Sequence, residues 1–242
     1  MDHADYVAAI RRDGEGFVRA AREAELTAQV PSCPAWTVAD LVWHLAEVHD
    51  FWCTVARERM TDPDQYREPP RPADDGLVDF ASANYRALAD VLEAGDPTTP
   101  VWTWADRKDL GFIARRMAQE TAVHRVDAEL VIDRPQPIDA ELASDGIDEF
   151  LEHFTDSIAT GSVPVDGTVH LHCTDVAGEW LVRCSPDGAL TFSREHAKGD
   201  AAVRGTASDL LTVLWRRRPL STVEVIGDAG VAEGFVARTR LD

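Results

Sequence analysis

Lysine is nearly missing from this chain. Lys108 and Lys198 are the only two among 24 basic residues in a sequence of 242. Positive charge of any kind is short, because 43 acidic residues bring the formal net charge to −19. Such a surface repels phosphate backbones and anionic headgroups, so nucleic acid and membrane surfaces are not expected partners. No apolar run approaches the ~18–20 residues that cross a bilayer. The charged opening MDHADYVAAIRRDGEGF lacks the apolar stretch of a secretory signal, and a cytoplasmic location is expected. Cysteine is scarce as well. Cys33, Cys53, Cys173 and Cys184 form no CxxC pair and no zinc-ribbon spacing. They read as reduced thiols, with a Cys173–Cys184 bridge between neighbouring strands as the alternative. Hydrophobic residues at 45% and charged residues at 28% are ordinary for a globular protein and exclude wholesale disorder. The length suits one large domain or two small ones.

Helical spacing dominates up to about residue 160. A first helix is expected from about Ala4 to Glu25, weakened in its middle by Gly14 and Gly16. Pro31 and Pro34 then forbid a continuous helix. Thr37 is an N-cap candidate, with Asp40 three residues on. The helix that follows, to about Met60, carries the stripe Leu41, Leu45, Val48, Trp52 and Val55. Four prolines make Thr61–Asp75 a surface loop. Further helices are expected over about 76–93, 110–131 and 140–159, which suggests an up-and-down bundle. After Gly161 the period changes to short strands, at 169–173, 180–184, 189–192, 201–205 and 223–226, with helices at 208–216 and from 227 through Phe235. The expected fold class is therefore α+β in two domains: 1–160, a helical bundle, and 161–242, a smaller α/β domain.

Polar groups fall where core is expected. Ile113, Met117, Glu120, His124, Ala128 and Val131 lie on one helical stripe, which places Glu120 and His124 inward, one turn apart. A buried carboxylate or imidazole is costly unless paired or bound to a metal. His44 borders the stripe of the second helix, so two facing helices offer a His₂Glu set with at least one coordination position open, the catalytic pattern. A simple Glu–His ion pair at i, i+4 is the alternative on spacing alone. His49 points about 140° away from His44 and reads as solvated or partner-paired. Asp127 reads as an exposed aspartate, with a supporting hydrogen bond to His124 as the alternative. His170 and His172 share one side of a strand and read as ordinary strand residues rather than ligands, having no third partner in view.

Two stretches carry a family resemblance. Val30-Pro31-Ser32-Cys33-Pro34-Ala35-Trp36-Thr37-Val38-Ala39-Asp40-Leu41-Val42-Trp43-His44-Leu45 resembles the VPSCPGWTVxDLxxHL signature of the mycothiol-dependent maleylpyruvate isomerase family, with Ala35 where glycine is usual. Met117-Ala118-Gln119-Glu120-Thr121-Ala122-Val123-His124-Arg125-Val126-Asp127-Ala128 resembles its second signature. The resemblance implies an N-terminal DinB-like bundle that binds zinc through His44, Glu120 and His124. Gly205–Leu211 and Val225–Asp228 are similar to the family's small domain, related to sterol carrier folds.

The same resemblance implies the chemistry. A divalent metal, Zn²⁺ first, presents mycothiol as a thiolate. The thiolate adds to the double bond of a cis unsaturated keto acid, and rotation and elimination return the trans isomer. A dicarboxylate substrate would need local positive charge. Arg216, Arg217 and Arg218 read first as a solvated helix C-terminus favoured by the dipole, and Arg217 and Arg218 second as substrate-binding groups. Two other functions remain open at this point: a mycothiol S-transferase acting on another electrophile, and a non-enzymatic metal- or apolar-ligand-binding protein. Monomer and homodimer are both open.

Overall fold

Asp2 and Thr37 start two long helices by the same device. α1 (His3–Glu23) opens on a capping box in which the Asp2 side chain accepts from the Asp5 amide and the Asp5 carboxylate accepts from the Asp2 amide. Thr37 and Asp40 repeat the arrangement at α2 (Val38–Glu58). Each box satisfies two orphan amides, worth roughly 1 kcal/mol. Between these helices Pro31 and Ser32 turn a short hairpin, β1 (Gln29–Val30) against β2 (Cys33–Thr37). α3 (Asp74–Ala94) and α4 (Leu110–Val131) complete the bundle. The computed structural model describes residues 1–155, 165–185 and 189–238. It divides the chain into two units, Met1–Gln136 and Pro137–Asp242.

In the first unit α1 packs on α3 and α4, and α2 packs on the same two. Ile10, Phe17, Leu41, Leu45, Leu77, Leu88, Leu92, Ile113 and Met117 are fully buried between them. Each such side chain contributes about 1.5–3 kcal/mol by leaving water. α4 is the central helix and is buried on almost every side, charged residues included. The two glycines that weaken α1 have a reason in that packing. A Cβ at Gly14 would meet the Tyr85 ring at 2.6 Å, and one at Gly16 would meet Arg125 Cδ at 2.7 Å. The helix gives up propensity, at about 1 kcal/mol per glycine, to let α3 and α4 approach.

The fifth helix differs from expectation in allegiance. α5 (Ala140–His153) lies in the second unit rather than closing the bundle, so the boundary falls at 136/137 and not at 160/161. Its apolar face carries Phe150, which meets Trp215 edge to face beside Phe154, and its partner is α6 (Ala207–Leu214). Described residues 154 and 155 are no longer helical, and the expected end at 159 lies outside the described residues. So does the turn expected at Pro186-Asp187-Gly188.

The sheet of the second unit is built from β3 (Gly167–Cys173), β4 (Glu179–Cys184), β5 (Leu190–Ser193), β6 (Ala201–Gly205) and β7 (Glu224–Gly227), in the order β5-β4-β3-β6-β7. All pairs are antiparallel except β3 with β6. The period-2 pattern sends Val169, Leu171, Trp180, Val182 and Val203 to the buried face. α7 (Ala229–Arg238) packs on β3 and β6. The β3–β4 register sets Gly167 opposite Cys184 and His172 opposite Glu179. Cys173 and Cys184 therefore sit at opposite ends of the hairpin, about 20 Å apart at ~3.4 Å per residue. The bridge considered between them is excluded on geometry, and all four cysteines are free thiols.

Candidate metal centre

His44, Glu120 and His124 converge, each offering one ligand atom within 4.8 Å of the other two. His44 Nε2 lies 3.4 Å from Glu120 Oε1, and His124 Nε2 lies 3.2 Å from the same oxygen. The helical stripe on α4 places Glu120 and His124 on one face, and α2 brings His44 across to it. The two imidazoles meet edge on, with ring centroids 5.0 Å apart. Trp36, from β2, packs 4.8 Å from the His44 ring and 6.3 Å from the His124 ring.

The surroundings of these three residues hold them in form for ligation. His124 Nδ1 bonds Asp127 Oδ2 at 2.8 Å, and Asp127 is wholly buried, not exposed as its sequence position suggested. Ser32 Oγ donates to Asp127 Oδ1 at 2.5 Å. The hairpin turn of the first signature thus reaches the carboxylate beneath the histidine of the second. A proton fixed on Nδ1 leaves the Nε2 lone pair toward Glu120, which is how a metal-binding imidazole is commonly oriented. Arg116, buried, donates to Glu120 Oε2 at 2.6 Å and leaves Oε1 to the histidines.

Electrostatics agree with a cation at this spot. Burial alone would lower the His124 pKa, but Glu120 and Asp127 outweigh it and raise it to about 9. Burial alone would raise Glu120, yet His124 and Arg116 hold it well below the usual carboxylate range. Without a metal, a proton on His124 serves as the positive charge between two carboxylates. Ligation requires neutral imidazole, so metal binding must release that proton and weaken as pH falls. Outside the three ligand atoms opens a cleft of about 380 Å³ lined by Ala35, Trp36, Asp40, Trp43, His44 and Glu47. Burial and Glu68 push the Glu47 carboxyl above its ordinary pKa.

Comparison with known proteins bears on this geometry. Residues 7–129 match the family described as the mycothiol maleylpyruvate isomerase N-terminal domain, and residues 141–234 match the MDMPI C-terminal domain. The chain belongs to the mycothiol maleylpyruvate isomerase family. Two crystal structures of a mycothiol-dependent maleylpyruvate isomerase, one of them a His-to-Ala mutant, share its fold. They superpose with TM-scores of 0.64 for the mutant and 0.61, at 11% and 12% identity, with 93% of each chain covered. No curated protein sequence matches the chain. No described helix of this family member is long and apolar enough to cross a membrane.

The remaining sequence candidates lie elsewhere. His49 is buried rather than solvated, and its Nε2 bonds Thr121 Oγ1 at 2.8 Å. Because the Thr121 hydroxyl donates to Met117 O at 2.6 Å, it accepts from the imidazole, which is held neutral. Burial drives the His49 pKa down to about 3. The unfolded chain protonates this group near pH 6.5 and the native chain does not until about pH 3. Its contribution to stability is therefore complete above pH 6.5 and is lost as pH falls, at up to about 1.4 kcal/mol per pH unit. Urea unfolding of the metal-free protein at pH 7, 6 and 5 should show this loss, and His49→Asn should flatten it.

In the second unit Arg216 takes a left-handed conformation (φ 55°) just beyond α6. Arg217 donates to Trp215 O and lies over the Trp215 ring, and Arg218 pairs with Asp209 at 3.0 Å. His170 and His172 lie in β3, as their pattern indicated, and have partners that the strand alone does not show. They gather with Glu179 and His196 into a second group whose ligand atoms lie within 4.8 Å of one another.

Proposed function

We propose that this chain is a divalent-metal, mycothiol-dependent isomerase acting on a cis unsaturated keto acid, with the metal, Zn²⁺ first, held by His44, Glu120 and His124. The observation that carries the reading is the pair of imidazole Nε2 atoms meeting on Glu120 Oε1, one of them oriented by buried Asp127. The donor chemistry suits the ion: two neutral nitrogens and one carboxylate oxygen form an open set for zinc. A bound cation supplies one thing, a lowered thiol pKa that makes the thiolate abundant at neutral pH. The chain's own residues do the rest. Asp127 keeps the proton on His124 Nδ1, Arg116 fixes the rotamer of Glu120, and Trp36 walls the His44 and His124 rings. The thiol comes from outside, since none of the four cysteines belongs to the ligand set.

One observation favours a second reading. Asp40 and Glu47 line the cleft beside His44 and would oppose a dicarboxylate. Transfer of the thiol to an uncharged electrophile, an S-transferase activity, fits that lining better. A single assay separates the two: mycothiol with a cis-enoyl keto acid or with uncharged electrophiles, following both product and free thiol. An isomerase turns over many substrates with no net loss of thiol, whereas a transferase consumes one thiol per product. Chelation of the metal should abolish turnover, and Zn²⁺ should restore it. Full activity in chelated protein would sink both readings.

A further inference from the structure

We infer that the second unit carries its own divalent-metal site, in which His170, His172, Glu179 and His196 close a four-ligand set for Zn²⁺ or a similar imidazole-seeking ion. The β3–β4 register places His172 directly opposite Glu179, and the alternation of β3 puts His170 on the same face. His196 arrives from the segment after β5. The three imidazoles surround one carboxylate. His172 Nδ1 lies 2.8 Å from Glu179 Oε1, His196 Nδ1 lies 2.6 Å from Oε2, and His170 Nε2 lies 3.5 Å from Oε2.

Hydrogen bonding to Glu179 accounts for His196, whose Nδ1 bonds Oε2, but not for the other two imidazoles. The His170 side chain is only 10% exposed, and its Nε2 is buried without a hydrogen-bond partner. His172 Nδ1 is close to Glu179 but out of hydrogen-bond alignment, and it too is unsatisfied. An orphaned buried nitrogen costs about 1–3 kcal/mol. A dication at the centre would take a lone pair from each of them. Tetrahedral zinc with bonds of ~2.0–2.1 Å needs ligand atoms roughly 3.3 Å apart, and these four lie within 4.8 Å of one another.

The two groups differ in a way that assigns different roles. His44, Glu120 and His124 supply three ligands, which leaves room for an incoming thiol. The second group supplies four, the closed pattern of a structural site. Its ion would tie β3 and β4 to the segment after β5, and so staple one side of the sheet.

The test uses the full chain, loaded with Zn²⁺, dialysed against metal-free buffer and measured by elemental analysis. The native protein should retain two equivalents. His170→Gln/His172→Gln should retain one, and so should His124→Ala. Because His196 is 80% exposed, His196→Ala should fold normally. It should weaken one of the two equivalents by at least the 10–100-fold that loss of a mere supporting group costs, read by chelator competition. A single native equivalent that disappears in His124→Ala and survives in His170→Gln/His172→Gln would overturn the inference. A single equivalent with the opposite pattern would uphold it and refute the bundle site, so the two readings fail separately. No retained metal, or His196→Ala binding two equivalents as tightly as the native protein, would also overturn it.

Discussion

Replacing Arg125 by methionine should destabilise the first unit by about 3–5 kcal/mol, the cost of breaking a buried ion network from one side. Arg125 is only 4% exposed. Its Nε donates to Asp13 Oδ1 at 2.9 Å, and one terminal nitrogen donates to Glu129 Oε2 at 2.6 Å and to Gln136 O at 3.2 Å. Glu129 accepts in turn from the Gln136 amide at 2.8 Å. One guanidinium therefore joins α1 to α4 and ties down the end of the unit, in the space that Gly16 leaves open. Methionine keeps most of the volume and removes the charge, which leaves buried Asp13 with the outer Arg12 and buried Glu129 with the Gln136 amide. Adding Asp13→Asn and Glu129→Gln should recover much of the loss, because replacing a whole buried network can be nearly neutral. Urea unfolding of the single and triple variants measures both. A single variant within about 1 kcal/mol of native would show that the network contributes little.

Local pattern made much of this architecture legible. α4 begins and ends at Leu110 and Val131 as the spacing predicts, because its cap Asp109 and its apolar stripe are both local signals. The convergence of His44, Glu120 and His124 was also readable, since two polar residues at core spacing on α4, a histidine at the edge of the α2 stripe and the resemblance of both stretches to one family agree. Asp127 was not. α4 is buried on almost every side, so no stripe on it marks an outer face, and an aspartate three residues from His124 looks exposed when the helix is read alone. Its signal lay in another signature, at Ser32, which only the fold brings near. The neighbours of His170 and His172 were hidden for a related reason. Their partners are set by a cross-strand register and by a segment more than twenty residues on, neither of which a strand's own period reports. α5 shows the same limit: its apolar face is plain in the sequence, but the identity of the surface it covers is a property of the folded chain.

Asp127→Asn should lower divalent-metal affinity about 100-fold, the upper end for a group that supports a ligand. The two side chains have the same shape, so packing is preserved at a position of zero exposure. The difference lies in where a proton must go. Ser32 donates to Oδ1, so the amide oxygen takes that place and the NH₂ group faces His124 Nδ1. That nitrogen must then accept, and the imidazole's proton moves to Nε2, the atom nearest Glu120 Oε1. An Nε2 carrying a proton has no lone pair to offer. Ser32→Ala is the control. It removes one hydrogen bond, worth about 1 kcal/mol, and leaves Asp127 charged and the tautomer intact, so its effect should stay below tenfold. Chelator competition measures the affinities, and imidazole ¹⁵N shifts at high pH report the tautomer. An Asn variant that binds metal as the native chain does, with its proton on Nε2, would show that His124 is not a ligand. An unchanged tautomer would instead show that Asp127 does not set it.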